Sequence, residues 1–161
     1  MTLDSDVARL ARTHPFSLLP REAVQLVAFS CEKRRLRAGD ALFSPGEIGE
    51  AGYFVLSGAI LLTANGAKRR SARRVGAGAL IGESALYAPT ARRAEARAAE
   101  DALVMHVRRE TFRRVLLEFP EAANKVRASV EARTRKLVDG LDAVRVKSLH
   151  GAATPGSLAS R

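Results

Sequence analysis

Apolar residues recur at helical spacing near both ends of this chain and in short bursts between them. Over residues 4–13, Val7 and Leu10 share one face of a short amphipathic helix, which "HPF" at 14–16 breaks. In "LPREAVQLVAF", Pro20 suits a helix start, and Ala23, Val24, Leu26 and Val27 give a second helix an inner face to about Phe29. From Ser30 to Val107 the texture changes. The stretches "ALF", "GYFVL", "AILLTA", "GALIG" and "ALVMHV" alternate with glycine-bearing turns, among them Gly39, Gly46, Gly58 and Gly66. Many short strands at close spacing predict an antiparallel barrel or sandwich over about 30–107.

Helical period returns in "RRETFRRVLLEF", where Phe112, Val115, Leu116 and Phe119 form a buried stripe. Pro120 closes that helix and suits the first turn of the next. The next helix is expected from Pro120 to Lys147, on the order of 40 Å at 1.5 Å per residue. Along it Val130, Thr134, Leu137, Leu141 and Val144 make a seam of about two heptads, flanked by Arg and Lys. Such a helix either lies on its own barrel or pairs with its copy in a dimer. Gly140 within it costs ~1 kcal/mol relative to Ala. The pattern thus gives one domain over 1–147, with C-terminal helices over about 108–147, and a flexible tail over 148–161.

Composition sharpens this. Hydrophobic residues make up 47% of the 161, enough for a core, but there is no Trp and only 5% aromatics. Lys and Arg number 27 against 17 Asp and Glu, a formal +10, which favours an anionic partner: a phosphate ligand, nucleic acid, an anionic membrane or an acidic protein. The lone Cys31 excludes an internal disulfide and a multi-cysteine metal site. The N-terminus lacks signal-peptide character and no apolar run approaches the ~20 residues of a spanning helix, so no membrane insertion and a cytoplasmic location are expected.

The most informative stretch is "IGESALYAPTARRAEARA", Ile81 to Ala98. Gly82 permits a tight turn, and "ESAL" suits a short helix whose free N–H groups form an anion site. Arg92, returned by the "YAPTA" loop, would grip the same anion through two guanidinium N–H groups. Glu83 beside a phosphate would be repelled by it, and is better suited to accept from a hydroxyl. A phosphate next to a sugar hydroxyl describes a compact nucleotide.

In order and spacing, "RAGDALFSPGEIGEAGYFVLSGAI" and then "GAGALIGESAL" with Arg92-x-Ala94 resemble the cyclic nucleotide-binding domain family, the sensor type of the catabolite activator and the protein kinase A regulatory subunit. The resemblance spans about residues 14–147. It implies a fold that is mainly β with flanking helices: an eight-stranded double-stranded β-helix (jelly-roll) barrel, N-terminal helices and a long C-terminal helix. It also implies cyclic AMP or cyclic GMP as ligand, with no other cofactor. The family's phosphate-binding cassette would put Glu83 on the ribose 2′-hydroxyl, Arg92 on the cyclic phosphate, and the backbone at Gly82, Ser84 and Ala85 around it.

Two arginines compete for the phosphate. An ungapped count from Glu83 lands on Arg92, with Ala94 matching the family's R-x-A; choosing Arg93 puts Glu95 where the family has a small residue. On an extended segment only one of the pair faces the pocket. Arg93 also stands where a Thr assists guanine binding in relatives, which tilts the resemblance toward cyclic AMP. The adenine-contacting Thr-Ser pair of the activator type aligns with Leu137 and Val138, leaving Thr134 as a weak substitute.

No Ser/His/Asp, Cys/His or paired-carboxylate arrangement argues for an enzyme. His14, His106 and His150 match no ligand spacing, and "EKRRLR" and "KRRSARR" read as solvated strand and hairpin faces. Activator-type transcription factors continue into a DNA-reading domain about where this sequence stops. The expectation is therefore a stand-alone sensor that signals to an unknown effector protein through its long helix, is a homodimer through 120–147, and binds no specific DNA sequence. Two alternatives stand: a degenerate non-binding barrel used as a basic nucleic-acid or protein interaction module, or the sensor part of a Crp/Fnr-like transcription regulator.

Overall fold

The computed structural model describes residues 2–150, with side chains as far as Gly140. Helix α1 (Leu3–Leu10) starts at Thr2, whose hydroxyl accepts from the Ser5 N–H at 3.3 Å, and buries Asp6, Val7 and Leu10. A 3-10 turn over Phe16–Leu18 leads into α2 (Arg21–Ser30), which begins directly after Pro20 and buries Ala23, Val24, Val27 and Ala28.

Ten strands follow: β1 (Glu32–Leu36), β2 (Ala41–Phe43), β3 (Ile48–Gly49), β4 (Ala51–Ser57), β5 (Ala59–Ala64), β6 (Arg73–Gly76), β7 (Leu80–Ile81), β8 (Thr90–Ala91), β9 (Ala94–Ala98) and β10 (Ala102–Arg108). They form two four-stranded sheets, in the orders β1-β10-β4-β7 and β2-β9-β5-β6. The eight strands of these sheets match the number expected; the two-residue pair β3-β8 is additional and fastens the loops beside the sheets. All pairings are antiparallel.

Between the sheets lies one apolar cluster. Phe43, Tyr53, Val55, Ile60, Ala96 and Val104 are among its members. Strand β4 is buried along nearly its whole length because its other face is covered too. There the Arg9 guanidinium of α1 lies 6.0 Å from the Phe54 ring centre and donates to the Leu56 carbonyl at 2.7 Å. The charge run on β1 is not simply a solvated face. Lys33 Nζ reaches the fully buried Asp6 carboxylate at 2.5 Å and ties α1 to the first strand.

After β10 the chain enters α3 (Arg109–Glu118) and α4 (Pro120–His150). Phe112 of α3 meets Phe16 edge-on at 5.7 Å and Tyr87 at 6.3 Å, so one ring joins the N-terminal segment, α3 and the turn after β7. The molecule divides into two compact units, the first ending at Ala123 and the second starting at Asn124. Helix α4 has 31 residues, three more than expected at its C-terminal end, and spans about 46 Å at 1.5 Å per residue. Along it Val130 is half-buried, while Thr134, Leu137 and Val138 are exposed, Leu137 by 70%. Leu141 and Val144 of the expected seam, and 151–161 of the expected tail, lie outside the described residues.

Phe112 is fully buried and touches three elements. Replacing it with Ala should cost about 3–5 kcal/mol of folding stability, read from urea unfolding. A loss under about 1 kcal/mol would show that the three elements do not depend on this ring.

Candidate functional site

Beside the barrel core, a cavity of about 700 Å³ opens between strands β1, β2, β4 and β10, the β3 segment and α3. Its wall includes Phe43, Tyr53, His106 and five arginines, Arg34, Arg92, Arg108, Arg109 and Arg113, against three glutamates, Glu47, Glu50 and Glu110.

Arg92 is fixed to this wall by backbone and side chain together. Its N–H donates to the Glu47 carbonyl at 2.7 Å, and its own carbonyl accepts from Gly46 at 2.9 Å. Nη2 donates to the Ala51 carbonyl at 2.6 Å. The guanidinium carbon lies 4.2 Å from the Phe43 ring centre and 5.8 Å from that of Tyr53, both within cation–π range. Two glycines make room for it. A Cβ at Gly49 would stand 2.6 Å from Arg92 Cζ, and one at Gly82 would collide with Arg92 Nη1. Burial lowers the Arg92 pKa from its ordinary value, opposed by Tyr53 and Glu47, yet a guanidinium remains cationic at any physiological pH. Arg93 turns the other way: its side chain is exposed, and its carbonyl accepts from Asn65 N–H at 3.0 Å.

Gly82 adopts φ +72°, a left-handed conformation that glycine reaches without strain, and opens a 3-10 turn over Glu83–Leu86. Ala85 and Leu86 are buried beneath it. The Ala85 N–H donates to the Gly82 carbonyl at 3.1 Å, so that amide serves the turn itself. Arg109 Nη1 donates to the carbonyls of Gly49 at 2.9 Å and Ala85 at 3.1 Å, lashing the turn to β3. Ala94 begins β9, opposite Ala64.

Glu83 faces the N-terminal segment. Its Oε1 accepts from His14 Nδ1–H at 2.8 Å and from the Tyr87 hydroxyl at 2.6 Å. A carboxylate only accepts, which fixes the imidazole as donor. The residues lining the cavity include Arg92 but not Glu83, Ser84 or Ala85. The structure therefore brings Arg92, Gly49 and Gly82 together and assigns Glu83 to a neighbouring cluster with His14 and Tyr87. His14 lies 69 residues before Glu83, and no local pattern could have linked them. Arg109 was equally hidden, as one arginine in a helix-start charge run.

His106 stacks on Tyr53 with ring centres 5.1 Å apart and 15° between planes. Its Nδ1 is buried without a hydrogen-bond partner, 4.0 Å from a Glu32 carboxylate oxygen. Burial first, then the nearby Arg34 and Arg108 cations, lower its pKa below the ordinary value, with Glu32 opposing. Elsewhere, burial pushes the Cys31 thiol up to about 12, which leaves no thiolate at neutral pH.

A cationic side chain is thus recessed between two glycines, next to a glycine-Glu turn. The model of the cyclic nucleotide-binding domain matches residues 33–119. The chain belongs to the cyclic nucleotide-binding domain family. The cyclic AMP receptor protein of Thermus thermophilus is 31% identical over 123 residues, covering 75% of this chain and 57% of the relative. The cAMP-dependent protein kinase regulatory subunit of Yarrowia lipolytica is 29% identical over 116 residues, 72% of this chain and 30% of that one. The chain thus spans only part of the length of these curated relatives. Among solved structures, the N-terminal domain of a transcriptional regulator from Streptomyces coelicolor superposes with a TM-score of 0.71 at 28% identity, covering 83% of this chain and 94% of that domain. The jelly-roll architecture with a long C-terminal helix follows from these neighbours and the two sheets described above.

The depressed pKa of His106 has a definite consequence. In the unfolded chain the ring protonates at about pH 6.5, and in the folded protein only at lower pH. Below about pH 6.5 the unfolded state therefore binds more protons. The contribution to stability is full above that pH and is lost as pH falls through the folded pKa. His106→Gln should flatten the fall in stability between about pH 7 and pH 5, by up to ~1.4 kcal/mol per pH unit of separation between the two pKa values. Urea unfolding of both proteins across that range checks it; identical slopes would contradict the assignment.

Proposed function

We propose that this chain is a cyclic nucleotide sensor domain that takes cyclic AMP in preference to cyclic GMP, with Arg92 as the phosphate ligand and Glu83 as acceptor for the ribose 2′-hydroxyl. The observation that carries the reading is the seat of Arg92. Its guanidinium is recessed between Gly49 and Gly82, with ring faces behind it and a single carbonyl bond holding it. A cation placed this way meets a phosphate without first having to order a flexible side chain, so less binding energy goes into orientation. Glu83 has a carboxylate with about four acceptor sites, so orientation by His14 and Tyr87 is compatible with accepting one more hydroxyl. The exposed Arg93 leaves the position of a guanine-assisting Thr without a hydroxyl, which supports the adenine nucleotide. Occupancy would be passed to an effector protein in the cytoplasm through α4. Such signalling requires that the ligand bind the two helix arrangements with different affinity.

A second reading is favoured by one comparison. The solved N-terminal domain of the Streptomyces transcriptional regulator is covered over 94% of its length, so residues 2–150 would serve equally as the sensor part of a longer regulator.

Isothermal calorimetry tests the ligand. Cyclic AMP should bind at micromolar concentration or tighter, and cyclic GMP more weakly. Arg92→Ala should cost about 2–5 kcal/mol, roughly thirtyfold or more in Kd. Arg93→Ala should change it little. If Arg93→Ala abolished binding while Arg92→Ala spared it, the register of the pair would be wrong.

The dimer is a separate matter. Leu137 and Val138 are exposed by 70% and 50% on α4, an apolar area that a symmetric parallel partner would cover. Leu137→Asp would set two like charges across such a seam. Light scattering at tens of micromolar should show a dimeric mass that this substitution halves, with the barrel still folded. A monomeric mass for the unaltered protein, with and without nucleotide, would remove the seam.

A further inference from the structure

The cavity holds more cation than one phosphate diester uses. Five arginines face three glutamates in its wall, an excess of two positive charges with His106 neutral, whereas a cyclic mononucleotide carries one negative charge. Of these arginines, Arg92 is the one seated for the cyclic phosphate, and Arg109 is committed to the Gly49 and Ala85 carbonyls. Of the other three, Arg34 and Arg108 act on His106, with Glu32 beside them.

Strand register explains why. Arg34 of β1 pairs with Val104, and Glu32 with His106; on the other side of β10, Tyr53 pairs with His106 and Ala51 with Arg108. Alternation along each strand then puts Arg34, Val104, His106, Arg108 and Tyr53 on one face, the face that lines the barrel. Arg34 and Arg108 flank the imidazole there and help to keep it neutral. Tyr53 adjoins both this cluster and Arg92, since the guanidinium carbons of Arg34 and Arg92 lie 6.0 Å and 5.8 Å from its ring centre.

The carboxylate at this place is a weak competitor. Glu32 meets Arg108 at 3.5 Å and His106 at 4.0 Å, and its side chain is 64% exposed, as Arg108 is by 57%. Exposed pairs of this kind hold little and yield to a phosphate, which offers a guanidinium two parallel hydrogen bonds. Arg34 has no carboxylate partner among the described residues; its guanidinium carbon lies 6.0 Å from the Tyr53 ring centre.

We propose that Arg34 and Arg108, on either side of His106, form a second anion subsite, and that the cavity takes a nucleotide bearing two phosphate groups, one on Arg92 and one on this pair. The inference rests on the cyclic nucleotide reading above and narrows it. The shared chemistry is two phosphates bridged by a nucleoside, which either a cyclic dinucleotide or a mononucleotide with a second ribose phosphate supplies. The cavity volume of about 700 Å³ accommodates a ligand of either size.

Calorimetry with cyclic AMP, cyclic di-AMP and adenosine 3′,5′-bisphosphate, on the unaltered protein and on the double variant Arg34→Gln, Arg108→Gln, tests this. Both side chains are exposed, so the variant should fold, which a thermal melt verifies. At least one two-phosphate probe should bind at least tenfold more tightly than cyclic AMP, and which one does so identifies the source of the second phosphate. In the variant that ratio should fall to near one. Its advantage should also weaken more steeply with added salt than cyclic AMP binding does. Cyclic AMP binding as tightly as both other probes would overturn the second subsite while leaving the sensor reading intact. An advantage that survives the double substitution would overturn the assignment to Arg34 and Arg108. Absence of binding by all three probes would remove the sensor reading and this inference together.

Discussion

Everything at this site depends on where one guanidinium can fit. Arg92 stands in a gap that exists only because Gly49 and Gly82 lack side chains; a methyl at either would collide with it. Those two glycines come from different segments, β3 and the turn after β7, and the arginine itself from the loop between β8 and β9. Three loops must therefore meet at one point. The β3-β8 pair, Ile48 opposite Ala91 and Gly49 opposite Thr90, brings two of them together. Arg109, from the start of α3, ties the third by donating to Gly49 and Ala85 at once. Loops with exposed backbone are ordinarily the loosest parts of a fold. Here those bonds order the loops around the cation, whose own side-chain bond is to the Ala51 carbonyl.

The positive charge of the chain is partitioned by this packing. Lys33 is drawn to the buried Asp6, Arg74 to Glu100 and Arg97 to Glu95. The hairpin run Lys68 to Arg74 is exposed, as a solvated face should be. In the cavity, by contrast, Arg34 and Arg108 sit on one face of neighbouring strands, β1 and β10, and Arg92, Arg109 and Arg113 are added from a loop and from α3. Burial is the first cause of the lowered His106 pKa, and the Arg34 and Arg108 cations add to it. A third cation between two guanidiniums would be repelled by both.

Much of the fold was legible in the sequence because it rests on local period. Helix starts at Pro20 and Pro120 and the α3 stripe of Phe112 and Val115 follow from spacing alone. Arg92 rather than Arg93 faces the cavity, as an extended segment with alternating faces requires. What escaped depends on contacts between distant residues. His14 and Glu83 meet across the gap between the N-terminal segment and the turn after β7. Arg34 sits in "EKRRLR", a run that reads as a solvated strand face and is exposed, yet pairing with β10 also makes Arg34 part of the cavity wall. A charge run carries no mark of which of its members a partner strand will set beside a cavity.

Those distant contacts also decide how far a change at the turn can travel. Tyr87 donates its hydroxyl to Glu83 and lays its ring against Phe112, which in turn packs on Phe16. His14 reaches the same carboxylate from two residues before Phe16. The carboxylate of the turn is thus linked to the N-terminal segment by one polar path and one aromatic path, and to α3 by the second. Shifting Glu83 by the length of a hydrogen bond would break its contact with His14 or Tyr87, or carry those residues with it, because close-packed rings do not deform by small degrees. A hydroxyl accepted at Glu83 would bear directly on its contacts with His14 and Tyr87.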